Sequence, residues 1–254
     1  MRIPKTFKNY NPVRDHTVIL TIHNKSKSIK DILLALINSL SSFTKEIILV
    51  FDGCTDDSYS IVMNLLQNLK NKNRFNFKII KTNDIWETKA NNKGLLDVRT
   101  EYVSIVQDDM LIKQKNWDLK FKQVFEKNNI FALSGRAAHD FSFKNGKLYI
   151  ENIVGREYPF GNRNLFSKLI AKFLTIFRLF NIYKFFSQLN FRTVANRGPL
   201  FLKMSYLKEL NFFDEEFAPF ELDDIDLCCR AYKKFSLLSA SLPIFYRTIC
   251  GSKK

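Results

Sequence analysis

Short apolar runs alternate with stretches of helical spacing along the first half of the chain. Thr17–Ile22 (TVILTI) is apolar and β-branched, which predicts a buried strand, and Ser28–Leu40 then carries apolar residues at three- and four-residue steps. The pairing repeats with Glu46–Phe51 (EIILVF) and about Ser58–Leu69, then with Phe75–Ile80 and Glu87–Asp97, and Tyr102–Val106 (YVSIV) reads as a fourth strand. Strands separated by helices build βαβ units, so the pattern predicts an α/β fold with a mostly parallel central sheet flanked by helices. Ligands on such sheets sit beyond the carboxyl ends of the strands. That directs attention to His23-Asn24, Asp52-Gly53 and Gln107-Asp108-Asp109, which follow three of these strands.

The second half is less regular. Ile130–Ser134 predicts a strand, Gly146–Val154 a hairpin arm, Lys203–Leu210 a short helix and Asp223–Lys234 a longer one, with a break at Gly198-Pro199. Between them lies a segment dense in Phe, Leu and Ile, in which Lys168, Lys172, Thr175 and Arg178 share one helical face. This predicts a basic, aromatic helical insert over 164–192. Such a helix either packs on the domain or a second subunit, or lies on an anionic membrane surface through residues 166–192. A length of 254 residues suits a single domain, 1–254, with a first half of about 15–130 and a second of about 131–240.

Charge narrows the class of partner. Lys and Arg number 40 against 25 Asp and Glu, a net +15, which favours nucleic acid, acidic headgroups or phosphorylated small molecules. Cys54, Cys228, Cys229 and Cys250 form no CxxC pair, so zinc-ligand spacing is absent and a disulfide framework is not expected. Met1–Thr17 is polar and basic without an apolar core, and no run reaches the ~18 apolar residues of a membrane span. The expectation is a cytoplasmic protein, at most peripheral to a membrane.

Within this basic chain, carboxylates gather at element ends: Asp52 with Asp56-Asp57, Asp108-Asp109, and Glu221 with Asp223, Asp224 and Asp226. Hard divalent cations take oxygen ligands, commonly one or two carboxylates together with substrate phosphates. The plainer readings are solvated turn residues at the strand ends and helix capping at Asp223-Asp224.

The order of the segments adds specificity. ILTIHN, IILVFDGCTDDS, KANNKGL and YVSIVQDDM resemble the nucleotide-binding half of the inverting glycosyltransferases of family 2, and RGPLFLKMSYLKELNFFDEEFAPFELDDIDLCCR resembles that family's later segment with its EDxDLxxR motif. The resemblance covers about Thr17–Phe125 and Ala195–Lys234. It implies a GT-A fold and a metal-dependent, hexosyltransferase-type enzyme that uses Mn²⁺ or Mg²⁺. Its partners would be a nucleotide-sugar donor and a glycan or lipid-linked acceptor, in surface glycan or glycolipid synthesis. Carried over by position, Thr21, His23, Asn24, Asp52, Asn92, Gly94 and Asp108 would contact the donor and Asp109 would hold the metal. Asp224 would be the catalytic base with Asp223 beside it, and Gly198 and Pro199 would line the acceptor side.

The chain also departs from the family pattern. Phe51 and Cys54 replace the first acid and the Ser of VDDGS, Asn91 stands where Arg is common, and Gln107 replaces the first Asp of the metal motif. Trp86 stands where the family often has Gly, and no histidine after His139 is present to join a metal. These departures keep open a fold retained only for binding. A nucleotidyltransferase would show a Gly-rich phosphate loop, which TIHNKSKS lacks, and no nucleic-acid-binding motif accompanies the charge, so no nucleic-acid partner is expected. The QxxRW motif of processive synthases is absent, since the tryptophans are Trp86 and Trp117, so one sugar per encounter is the expectation.

Overall fold

The computed structural model describes residues 13–69, 74–145, 147–155, 189–219 and 222–249. In chain order these form β1 (Val13–Ile22), α1 (Ile29–Ser39), β2 (Thr44–Asp52), α2 (Ser58–Leu69), β3 (Asn76–Thr82), α3 (Glu87–Asp97) and β4 (Thr100–Val106). Next come β5 (Met110–Ile112), α4 (Trp117–Lys127), β6 (Ile130–Ser134), β7 (Ala137–Lys144), β8 (Lys147–Gly155), β9 (Asn190–Arg192), β10 (Val194–Ala195) and β11 (Leu200–Lys203). The chain closes with α5 (Met204–Glu209), a 3₁₀ turn (Glu215–Phe217), α6 (Asp223–Phe235), β12 (Leu238–Ser241) and β13 (Tyr246–Thr248).

Alternation along the strands sorts the core into two layers. Val18, Leu20 and Ile22 of β1 and Ile47, Leu49 and Phe51 of β2 pack on one side, with Ile32 and Leu36 of α1, Val62 of α2 and Trp117 and Phe121 of α4. Ile19, Ile48 and Val50 face the other side, where α3, α5 and α6 contribute Leu95, Leu207 and Leu227. The main sheet runs β3-β2-β1-β4-β11-β6-β12-β9. The pairs among β3, β2, β1 and β4 are parallel, as is β6 with β12, while β11 and β9 run against their neighbours. The predicted α/β class therefore holds, and the sheet takes strands from both halves of the chain.

Two expectations change. The periodic reading placed no element at 117–127, yet α4 buries Trp117, Phe121 and Phe125 at four-residue spacing. The helical insert predicted over 164–192 does not reach its predicted end, because residues 190–192 pair antiparallel with β12 as the edge strand β9. Residues 156–188, Glu221 and Cys250 lie outside the described residues. Among the described residues no helix is long and apolar enough to cross a membrane, and Cys54, Cys228 and Cys229 are unbridged.

Far from the strand ends that carry the acids, His16 is fully buried on β1. It stacks on Phe43 and Phe201, with Trp117 edge-on. The Thr44 hydroxyl donates to Asp118 at 2.7 Å, so it must accept from His16 Nδ1 at 2.8 Å, leaving Nε2 to accept from Ser104 at 2.8 Å. Both ring nitrogens of a neutral imidazole are thereby satisfied. Burial lowers its pKa to about 4, against the pull of the Asp118 charge. An unfolded histidine, near 6.5, takes up its proton first, so stability falls as pH drops from about 6.5 toward 4, by about 1.4 kcal/mol per unit. Thermal midpoints between pH 7.5 and 4.5 should show this decline in the parent and a shallower one in His16→Gln. Parallel declines in the two proteins would remove His16 as the cause.

Candidate active site

The carboxyl ends of β1, β2 and β4 meet because these strands are neighbours, and the strand order reverses between β1 and β4. Asp108, just past β4, reaches across that reversal. Its Oδ2 accepts the His23 N–H at 3.0 Å and its Oδ1 lies 3.3 Å from Lys25 Nζ. Burial pushes the Asp108 carboxyl up, with His23 and Lys25 pulling it back. His23 donates Nδ1–H to the Asp52 carbonyl at 2.7 Å, so Nε2 accepts from Asn24 at 3.2 Å. Asn24 turns at φ +50 and accepts the Thr55 N–H at 2.8 Å, tying the first-strand loop to the second. Burial opposes ionisation of Asp56, but the Ser58 hydroxyl and the N–H groups of Ser26 and Ser58 outweigh it and hold its pKa at about 2.

Asp52 is buried at the end of β2. Its Oδ1 accepts the Thr82 hydroxyl at 2.7 Å and the Ile85 N–H at 2.8 Å, so the carboxylate shapes the turn from β3 into α3. His23, Asp52 and Asp84 bring ligand atoms within 4.8 Å of one another, a set able to hold a metal. Two of its groups are already engaged: Asp52 Oδ1 with Thr82 and Ile85, and His23 Nδ1 as a donor to the Asp52 carbonyl. Asp109 differs. Its carbonyl accepts the Ile249 N–H at 2.7 Å, while its side-chain Oδ1 is buried with no hydrogen-bond partner. A buried carboxylate oxygen without a donor is costly, and a cation relieves that cost.

On the opposite side, Asp223 and Asp224 open α6. Asp223 accepts the Thr88 hydroxyl at 2.7 Å and the Asp224 N–H at 2.9 Å, and Asp224 accepts the Ile225 N–H at 2.9 Å. The two acids therefore do satisfy helix N–H groups, as capping would require. Arg197 adds what capping does not explain. It is 7% exposed, its guanidinium lies 3.1 Å from Asp223 and 3.0 Å from Glu87, and its N–H donates to Asp224 Oδ2 at 3.3 Å. Burial raises the Asp224 pKa, Arg197 opposes the rise and Asp223 adds to it. The Glu87 side chain keeps 41% of its surface accessible. Burial at its carboxyl nevertheless raises its pKa, Arg197 opposes, and the fields of Asp223, Asp108 and Asp109 all reach it. Acids from both sides thus surround one crevice.

Gly198 lies against Gln107 and Met110, which flank Asp108 and Asp109. Gly198 has φ +105, and a Cβ there would stand 2.7 Å from Met110 Sδ and 3.1 Å from Gln107 Oε1. Gln107 Oε1 also accepts from Arg136 at 3.0 Å. The remaining predicted residues sit deeper. Thr21 donates to Asn91 at 2.7 Å, Asn92 bonds the Phe213 backbone and Glu215, and Gly94 packs against Ile19 and Val50. Their hydrogen bonds and packing are made within the fold and hold α3 in place.

Residues 17–194, more than half of the 254, match the family described as glycosyl transferase family 2. The chain belongs to glycosyl transferase family 2. A crystal structure of S. aureus TarS 1-349 is similar with a TM-score of 0.55 at 17% identity, covering 91% of this chain and 59% of that one. A second crystal structure of S. aureus TarS gives 0.57 at 18% identity, covering 92% of this chain and 37% of that one. At this identity the likeness is one of fold, GT-A, and the chain spans well under two thirds of either structure. No curated protein matches the sequence.

The family match ends at Val194, so the segment carrying Arg197, Asp223 and Asp224 lies beyond it. Phe51, where the family has an acid, is a core residue whose ring meets Tyr59 at 5.1 Å. Lys25, Asp84, Glu87, Arg136 and Arg197 escaped the sequence reading, because single charges at element ends carry no periodic signal. Gly53 was read only as part of a motif, yet it has φ +55 and a Cβ there would stand 2.4 Å from Asp84 Cβ. Gly53→Ala should therefore cost about 2 kcal/mol or more and lower the thermal midpoint by about 4–8 °C. An unchanged midpoint would show that the Asp84 turn yields freely.

Proposed function

We propose that this family 2 glycosyltransferase moves one sugar from a nucleoside-diphosphate donor to an acceptor hydroxyl with inversion. Asp224 serves as general base, and Asp109 holds a divalent cation, Mn²⁺ or Mg²⁺. The carrying observation is a pair of carboxylates about one crevice: Asp109, whose buried Oδ1 has no hydrogen-bond partner, and the buried Asp224, with a raised pKa. Glu87 links them, since the fields of Asp109 and of Asp223 beside Asp224 both reach it.

The chemistry follows from the positions. Asp224 takes the proton of the acceptor hydroxyl, and the freed oxygen attacks the anomeric carbon opposite the diphosphate. The bond from that carbon to the diphosphate oxygen breaks as the new one forms, which inverts the centre. When bound, the cation offsets the charge growing on the leaving diphosphate. Asp52, Asp84 and His23 hold the nucleoside end, Asp108 faces the ribose or sugar, and Gly198-Pro199 leaves room for the acceptor. A raised pKa keeps Asp224 a stronger base than an ordinary aspartate. The net charge of +15 supports an anionic acceptor or surface, as a lipid-linked glycan on the cytoplasmic side would be. Gln107 bonded to Arg136 in the metal-motif position favours a second reading, a fold that binds nucleotide without transferring sugar.

Two variants separate these readings. Asp224→Asn should abolish transfer and leave binding of the nucleoside diphosphate within twofold. In the parent, the acid limb of kcat/KM should fall above the ~3.9 of a free aspartate. Full turnover in the variant would remove Asp224 as base. Asp109→Asn should weaken nucleoside-diphosphate binding about tenfold in Mn²⁺ and leave metal-free binding unchanged, whereas equal affinity in Mn²⁺ would place the cation elsewhere. A parent that binds nucleotide and transfers nothing to any acceptor would support the second reading.

A further inference from the structure

Trp86 stands out as an exposed aromatic held in a backbone conformation that costs energy. Its indole is 54% exposed, and its φ of 74 and ψ of 150 fall near a region almost reserved for glycine. The strain has identifiable causes. The Ile85 N–H before it is bonded to Asp52 Oδ1 at 2.8 Å, the Glu87 carboxylate after it is paired with Arg197 at 3.0 Å, and its own carbonyl accepts the Ala90 N–H at 2.9 Å. Both neighbours are thus clamped to opposite sides of the crevice, and Trp86 spans the gap between the clamps. Glycine would occupy this conformation without penalty, and a tryptophan left 54% exposed gains only part of what full burial would give.

We propose that Trp86 is a stacking platform for the flat base of the donor nucleotide. The inference rests on the donor-site reading above and deepens it. Trp86 follows β3, the strand at the outer edge of the sheet, whereas Asp109 follows β4 further in. The phosphates belong near Asp109, so the nucleoside end of the donor points outward to the β3 side. There His23, Asp52 and Asp84 gather polar atoms within 4.8 Å of one another, and Asp84 stands two residues before Trp86. Polar groups can read the edge of a base but supply no partner for its face. An exposed indole supplies that face, and stacking of this kind tolerates any base.

The test uses a built-in control, since the other tryptophan, Trp117, is fully buried and donates to Ser39 at 3.0 Å. UDP, GDP, CDP and dTDP are first ranked by thermal shift in Mg²⁺, and the tightest is used as probe. It should protect the exposed tryptophan emission from acrylamide quenching, and the protection should vanish in Trp86→Phe. Trp86→Ala should weaken the probe about tenfold and Trp86→Phe less. Trp86→Gly should raise the thermal midpoint by a few degrees and still bind the probe about tenfold more weakly, a pairing that a merely structural tryptophan would not produce. Binding within twofold of the parent in Trp86→Ala and Trp86→Gly, with no acrylamide protection, would overturn the platform and leave the donor site standing. Protection by sugar nucleotides of the same base but not by the diphosphate would also overturn it, moving the contact to the sugar. A parent that binds none of the four diphosphates overturns the donor site and the platform together.

Discussion

A guanidinium buried among carboxylates holds the crevice together. Glu87 stands on α3 in the first half of the chain, and Asp223 and Asp224 on α6 in the second, and Arg197 touches all three. Buried acids this close raise one another's pKa, and without a counter-charge some would take up protons. Arg197 is itself fixed by its neighbours. The Asn196 carbonyl accepts the Ser134 hydroxyl at 2.6 Å, its N–H donates to Ala137 at 2.9 Å, and its side chain meets His139 at 3.0 Å. The lone His139, without periodic context in the sequence, thus anchors the loop that positions the cation. A guanidinium held in this way does more than offset charge: it fixes α3 against α6, and so sets the spacing of the acids on the two helices.

How much of this the sequence disclosed follows from the range of each signal. Strands β1, β2 and β4 were visible because burial on both faces demands unbroken apolar runs. β5 and β13 are three residues each, too short for a period to register, and they exist through pairing with each other. β9 sits beside β12, from which it is distant in sequence, so local periodicity carried the predicted helical pattern through it. The acids Asp52, Asp108, Asp109, Asp223 and Asp224 were legible as clusters in a known order. Their partners were not: Arg197 to Asp223 and Lys25 to Asp108 are tertiary pairs between isolated charges.

The departures from the family pattern have different physical meanings. Phe51 is a core side chain turned to α2, and its exchange for an acid leaves Asp52 to carry the polar role alone. Gln107 is a site substitution. An amide oxygen cannot neutralise a cation, and here it accepts from Arg136, itself a cation. Positive charge beside the metal motif therefore comes partly from the protein. Asn91 gives up a cation nearby, and its side-chain oxygen is used instead to hold Thr21 in the packing of α3 on β1.

The charge distribution also constrains the order of events. The chain carries a net +15, yet the crevice is lined by Asp108, Asp109, Glu87, Asp223 and Asp224. On the proposed reading, the long-range field draws an anionic donor in, and the short-range field of the acids repels its diphosphate. Lys25 and Arg197 are already committed to Asp108 and to the Glu87–Asp223 pair. A cation at Asp109 changes the sign of the local interaction, so cation and diphosphate each strengthen the binding of the other, by the same factor in both directions. Such coupling ties formation of the leaving-group site to arrival of the donor. The same acids that disfavour an anion in the empty crevice are, on the proposed reading, the groups that hold the cation and accept the proton.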